Sequence, residues 1–109
     1  MIDIPHKHLE TIIAILSKYV PEHEVWAFGS RVNQKPKKYA DLDIAIKTSA
    51  PLPAGTLALL RDAFSESNLP FKVDVVDWSK ISKDFQKIIE EKFEVVQGNK
   101  SVSVKRGSK

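Results

Sequence analysis

The sequence predicts an α+β (α/β) domain, one small mixed β-sheet flanked by helices. Three observations carry this expectation. Apolar residues recur at helical spacing in three segments, short β-prone runs lie between them, and the two kinds alternate along the chain. Strands spread among helices in this way share a single sheet whose faces the helices cover. With 109 residues and 12.3 kDa the chain is long enough for one core and too short for two.

Residues 6–20 place Leu9, Ile12, Ile13, Leu16, Tyr19 and Val20 on one helical face, with Pro5 at the start and Pro21 as the stop. Residues 24–28, EVWAF, read as a strand that ends at Gly29-Ser30 in a tight turn. Residues 31–40 are basic and broken by Pro36, which predicts a helical turn and then a loop. In residues 41–47, DLDIAIK, Leu42, Ile44 and Ile46 alternate with Asp41, Asp43 and Ala45, the pattern of a second strand. After a proline-rich connection, Leu57, Leu59, Leu60, Ala63 and Phe64 mark a second helix that closes near Asn68 and Pro70. FKVDVV at 71–76 is a third strand. Asp77 and Ser79 are candidate N-caps for a third helix over about 80–92, patterned by Ile81, Phe85, Ile88, Ile89 and Lys92. Residues 93–96 add a short last strand.

The net charge of +3 belongs to the end of the chain. Lys100, Lys105, Arg106 and Lys109 lie among residues 98–109 with no acid, so residues 1–97 carry a net charge of −1. We therefore read 1–97 as the domain and 98–109 as a basic, disordered tail, and expect no extended nucleic-acid binding. Without cysteine there is no disulfide and no zinc-thiolate site, so any metal must be held by oxygen or imidazole ligands. No apolar run approaches the roughly 20 residues of a membrane span and the N-terminus lacks a signal-peptide pattern, so no membrane association is expected and the expected location is the cytoplasm.

Asp41 and Asp43 stand two residues apart on a strand, so their carboxylates leave one face and repel each other until a hard divalent cation lies between them. Alternating acids can equally mark a solvated strand face. Gly29-Ser30 narrows the choice. A glycine and a serine directly after a strand can turn backbone N–H groups and a hydroxyl toward phosphate oxygens. Gly-Ser, ten residues, then Asp-x-Asp recurs by chance in roughly one chain of this length per thousand. A third acid, Asp74, interrupts the apolar run at 71–76 and needs a partner, either a cation or a lysine such as Lys72. Trp26 and Trp78 read as packing residues rather than base-stacking ones. His6 and His8, two apart at a helix start, point to different faces and make a poor metal pair.

The stretch FGSRVNQKPKKYADLDIAI followed by KVDVVDW resembles the minimal nucleotidyltransferase domain of the DNA polymerase β superfamily, from about Val25 through Asp77. It is most similar to the single-domain MNT proteins of two-component HEPN/MNT modules. The resemblance implies a polymerase β-like fold and a Gly-Ser, here Gly29 and Ser30, that holds the nucleotide phosphates. It implies paired aspartates, Asp41 and Asp43, that bind two Mg²⁺ ions, with Mn²⁺ as a substitute, and a third aspartate, Asp74, that completes one metal site. Ala40 departs from the serine that many relatives carry before Asp-x-Asp, with no metal ligand lost. Arg31 is a candidate for the β and γ phosphates, ahead of Lys35, Lys37 and Lys38, whose plain alternative is a solvated loop.

The implied activity is transfer of NMP, AMP from ATP foremost, to a hydroxyl, namely a tyrosine of a co-encoded HEPN toxin that the modification silences. Two alternatives stay open: neutralisation of the HEPN protein by occlusion without catalysis, and nucleotidyl transfer to a small molecule or an RNA end.

Overall fold

The computed structural model describes residues 4–29, 32 and 41–98. The turn and loop expected over 31–40, the candidates Ser30 and Arg31, and the basic tail beyond Gly98 lie outside the described residues.

Helix α1 (His6–Tyr19) begins after Pro5, whose carbonyl accepts from the His8 and Leu9 amides, and ends where Val20 N donates to Leu16 O. Strand β1 (Glu24–Phe28) follows, then β2 (Leu42–Lys47), helix α2 (Thr56–Ser65), strand β3 (Val73–Asp77), helix α3 (Lys83–Glu91) and strand β4 (Glu94–Gln97). The sheet order is β3-β2-β1-β4, with β2 and β3 parallel and the other pairs antiparallel. This is the mixed sheet the element order predicts.

One face of the sheet packs on α1 and α2. Leu42, Ile44 and Ile46 of β2, Val25 and Ala27 of β1, and Val73 and Val75 of β3 form the core with Ile12, Leu16, Leu60 and Phe64. The alternation in 41–47 gives β2 this side correctly. Ala45, on the opposite side, is fully buried as well, because the other face is covered by α3 and the turn before it. Ile89 of α3 is buried there, and Phe85 meets Phe28 edge to face at 5.7 Å.

Several boundaries differ from the sequence expectation: β3 starts at Val73 rather than Phe71 and runs to Asp77, and β4 covers Glu94–Gln97 rather than 93–96. Helix α2 ends at Ser65, three residues before Asn68, and Leu59 is left 54% exposed because Leu60 and Phe64, four apart, already span the contact stripe. Asp77 is the last residue of β3 and caps a 3₁₀ turn, Trp78–Lys80, rather than the third helix. That helix starts later, at Lys83, where the Ser82 hydroxyl accepts from Phe85 N. Two helical starts within six residues compete for one capping pattern, and the tighter turn takes the first.

Two buried polar side chains tie the elements together. Gln97 donates from Nε2 to Val20 O and His23 O, both at 2.8 Å, and accepts from Ser17, which pins the end of β4 to the end of α1. A register shift in the β1–β4 ladder between Val25 and Trp26 accompanies this inward turn of Gln97. Asp77 accepts from Thr48 Oγ1 at 2.5 Å, Leu52 N at 2.9 Å, Ser79 N at 2.9 Å and Ser79 Oγ at 2.7 Å. One carboxylate thus joins the end of β3, the segment after β2 and the 3₁₀ turn.

Burial pushes the Asp77 carboxyl up, and the hydrogen bonds from Thr48, Leu52 and Ser79 outweigh it, so its pKa lies below the ordinary carboxylate value. An acid held ionised in the fold contributes stability above its unfolded pKa of about 3.9 and loses it as pH falls through the lower folded value. Asp77→Ala, which leaves Thr48, Leu52 and Ser79 without their acceptor, is expected to cost about 2–4 kcal/mol at pH 7. The penalty should shrink in thermal melts as pH drops below 4, roughly where the wild-type carboxylate begins to be protonated.

Candidate functional site

The antiparallel pairing of β1 with β2 sets Phe28 against Asp43, and the parallel pairing of β2 with β3 sets Asp43 against Asp74. Their neighbours Leu42, Ile44, Val73 and Val75 point into the core, so both carboxylates project from the opposite face. Gly29, the residue after Phe28, therefore falls beside Asp43. Three adjacent strands bring Gly29, Asp43 and Asp74 into one row at one end of the sheet.

Gly29 has φ +82°, a left-handed conformation that disfavours any residue with a Cβ. A Cβ at this position would also collide with the Asp43 carboxylate oxygen Oδ2. The backbone conformation requires glycine, and a side chain here would also force the Asp43 carboxylate to turn away. Val32 N donates to Gly29 O at 3.0 Å, and Val32 is buried.

Burial, then the charge of Asp74, then that of Asp41, push the Asp43 carboxyl above the usual carboxylate range. Asp41 sits one residue before β2 rather than within it and is exposed. The lysine partner considered for Asp74 exists, with Lys72 Nζ 3.8 Å from Oδ1. Both side chains are largely solvated, 73% and 44% exposed, so that pair contributes little and does not offset the Asp43–Asp74 repulsion.

The donor set suits a hard divalent cation: carboxylate oxygens only, from Asp41, Asp43 and Asp74 near one end of the sheet. As the side chains stand, no three His, Asp or Glu groups among the described residues are placed to hold a metal ion between them. Two of the three histidines are engaged elsewhere, His6 with Glu10 at 3.0 Å and His8 edge-on to Phe71 at 6.0 Å.

Two cavities flank the row. One, of about 500 Å³, opens from Gly29 and Asp43 beneath α3, between Phe28 and Val76 of the sheet and Phe85 and Ile88 of the helix. The other, of about 660 Å³, lies at the β3 edge beside Asp74, lined by Arg61, Phe64 and Lys72 among others. Neither was readable from the sequence, since each forms between segments remote in the chain. Phe85 carried only the signal of an apolar helix position.

Trp26 and Trp78 lie on the same face as the carboxylates, farther along the sheet, and they pack as the sequence suggests. Trp26 stacks on Phe93 with centroids 3.7 Å apart, meets Trp78 edge to face at 5.4 Å, and shares with it the Lys47 ammonium, 3.7 Å from each ring centroid.

Comparison with known proteins agrees with this geometry. A protein of Haemophilus influenzae described as a probable protein adenylyltransferase MntA is 47% identical over 96 residues, covering 88% of this chain and 84% of that protein. The crystal structure of a toxin–antitoxin with AMP-PNP superposes with a TM-score of 0.70 at 23% identity, over 92% of this chain and 84% of that one. The structure of a MntA–HepT toxin–antitoxin gives 0.65 at 20% identity, over 89% and 75%. At such identities these structures speak for the fold. The family model described as polymerase beta, nucleotidyltransferase matches residues 10–101, a span that runs from within α1 past β4 and takes in the whole carboxylate row. The chain belongs to the polymerase beta nucleotidyltransferase family.

Proposed function

We propose that the chain is the antitoxin enzyme of a toxin–antitoxin pair, transferring AMP from ATP to a tyrosine hydroxyl of a HEPN-domain toxin. The observation that carries the reading is the row Gly29, Asp43, Asp74 on one sheet face, with two like charges held in the same register position. A cross-strand carboxylate pair is destabilising unless something cationic is meant to enter. The 47% identical relative described as a probable protein adenylyltransferase supports the acceptor class, and the toxin–antitoxin neighbours support the partner.

Asp41, Asp43 and Asp74 would hold Mg²⁺ or Mn²⁺, two ions in this reading, which when bound neutralise the triphosphate and stabilise the charge that develops at phosphorus. The Gly29 turn, continued by Ser30 and Arg31, grips the β and γ phosphates with backbone and side-chain donors. Asp74 orients the acceptor hydroxyl and takes its proton as the oxygen attacks. The acceptor O–P bond forms at the α-phosphorus, the bond to the bridging oxygen breaks, and pyrophosphate leaves with that oxygen. No helix among the described residues is long and apolar enough to cross a membrane, and we place the reaction in the cytoplasm.

The deciding experiment supplies α-labelled ATP, Mg²⁺ and the co-encoded HEPN protein, then measures both label on that protein and its residual activity. Wild type should transfer label and silence the partner. Asp74→Asn should bind the partner and transfer at least about a hundredfold more slowly. If Asp74→Asn silences the partner as fully as wild type, occlusion replaces catalysis as the function.

Gly29→Ala should lose transfer and cost about 1–2 kcal/mol in urea unfolding, from the left-handed backbone alone. Asp43→Asn should abolish transfer yet raise the melting temperature measured without divalent metal at pH 7, because it removes a charge whose ionisation the fold disfavours. The sign follows from a raised folded pKa: ionised Asp43 opposes folding above that value, so the gain should vanish near pH 3, roughly where wild type is protonated too.

A further inference from the structure

We propose that the outer edge of β3 takes the acceptor as an added strand, an extended segment of the partner protein with an acidic residue beside its tyrosine, and that Arg61 reads the acid. This rests on the nucleotidyl-transfer reading above and assigns the conformation and charge of the segment that receives the nucleotide.

Strand β3 ends the sheet, which runs β3-β2-β1-β4. Leu42 N donates to Lys72 O at 2.9 Å, so by the alternation of a parallel ladder Lys72, Asp74 and Val76 turn their backbone groups toward β2. Val73 and Val75 turn theirs outward, where no strand of the described residues meets them. A side chain reaches one of these groups: Arg61 of α2 donates from Nη2 to Val75 O at 3.1 Å. The Val73 amide and carbonyl lie beside the cavity of about 660 Å³ that Val73 and Asp74 help to line. An edge of this kind is a template for an extended peptide.

A strand laid there fixes more than a contact. Residues in register share a face, as Asp43 and Asp74 do, and adjacent strands lie about 4.8 Å apart. The peptide residue set against Asp74 becomes the fourth member of the row Gly29, Asp43, Asp74. Its hydroxyl thereby comes to the carboxylate that takes its proton.

The next peptide residue points the other way, to the side of the sheet on which α2 packs. Arg61 stands on that side at the same edge, exposed and lining the cavity. Its charge is unspent. Lys72 and Asp74 answer each other at 3.8 Å, and no ion pair among the described residues engages Arg61. Asp62, the following residue, leaves the helix about 100° away. A guanidinium with one N–H on a backbone carbonyl and further donors beside a cavity matches a carboxylate.

The test uses two fluorescein-labelled peptides, TVEYVT and TVQYVT, which differ only in the residue before tyrosine. In anisotropy titrations on the full chain, without nucleotide or metal, the glutamate peptide should bind about tenfold more tightly than the glutamine peptide, and Arg61→Gln should erase that ratio. N-methylation of the glutamate peptide on alternate residues probes the backbone. One of the two methylated sets, the one facing β3, should lose about tenfold or more in affinity, and the other should not. Val73→Pro removes an outward amide and no bond to β2, so it should weaken the peptide similarly, with far-UV circular dichroism as the control for folding. If that variant does not fold, the methylated peptides decide. The assignment is overturned by wild type that binds neither peptide, by equal effects of the two methylated sets, or by a glutamate preference that is absent from wild type or survives Arg61→Gln. Failure of the transfer reading looks different: binding follows the expected pattern, but with α-labelled ATP and Mg²⁺ no label reaches the peptide.

Discussion

Two aspartates occupy one register position of a parallel strand pair, and the rest of the structure is arranged to keep them there. Left to themselves, Asp43 and Asp74 would move apart. They cannot, because the alternate residues of the same strands, Leu42, Ile44, Ile46, Val73 and Val75, are buried in the core against α1 and α2. A one-residue slip would turn all of these outward and bury the carboxylates, at a cost far larger than the repulsion it relieves. The apolar face therefore dictates the geometry of the charged one.

The opposite end of the same strands is braced by a carboxylate used in the other way. Asp77 lies three residues beyond Asp74 and, by the alternation of a strand, points to the core side. It is satisfied by four hydrogen bonds and its pKa falls, whereas Asp43, partly buried with no such donors among the described residues and facing Asp74 and Asp41, has its pKa raised by burial first and by those acids second. The contrast separates a structural acid from a site acid with no appeal to motif. It also places the stabilising network away from the end of the sheet where the charges converge, so the site can carry repulsion without loosening β2 and β3.

The second face is divided in the same manner. Beyond the carboxylates, Trp26, Trp78, Phe93 and the Lys47 ammonium close the surface into one aromatic cluster. Burial lowers the Lys47 pKa, an effect partly offset by Glu90 and Glu24. This cluster anchors the 3₁₀ turn and the chain after α3 at one end of the face. At the other end α3 meets the sheet through the buried Ile89 and the Phe85–Phe28 contact, and the cleft opens there.

The sequence by itself determined the elements, the mixed sheet and which residues make up the candidate site. Period-2 alternation in 41–47 and 71–76 gave β2 and β3, helical spacing gave three helices, and Gly29 before a basic stretch and Asp-x-Asp pointed to phosphate and metal. These signals are local, carried by residues a few positions apart. The caps were read less well: Asp77 and Ser79 were the candidates for the third helix, whereas Asp77 caps the 3₁₀ turn and Ser82 caps the helix, because polar residues close in sequence satisfy the same local rule. Gln97 gave no signal at all, since its partners Val20 and His23 lie more than seventy residues away. Tertiary structure alone decided that Asp43 faces Asp74, that the Asp43 carboxylate lies against Gly29, and that a cleft separates α3 from the sheet. Each is a relation between strands or between layers, fixed by register and by burial across the core, and no spacing along the chain encodes such a distance.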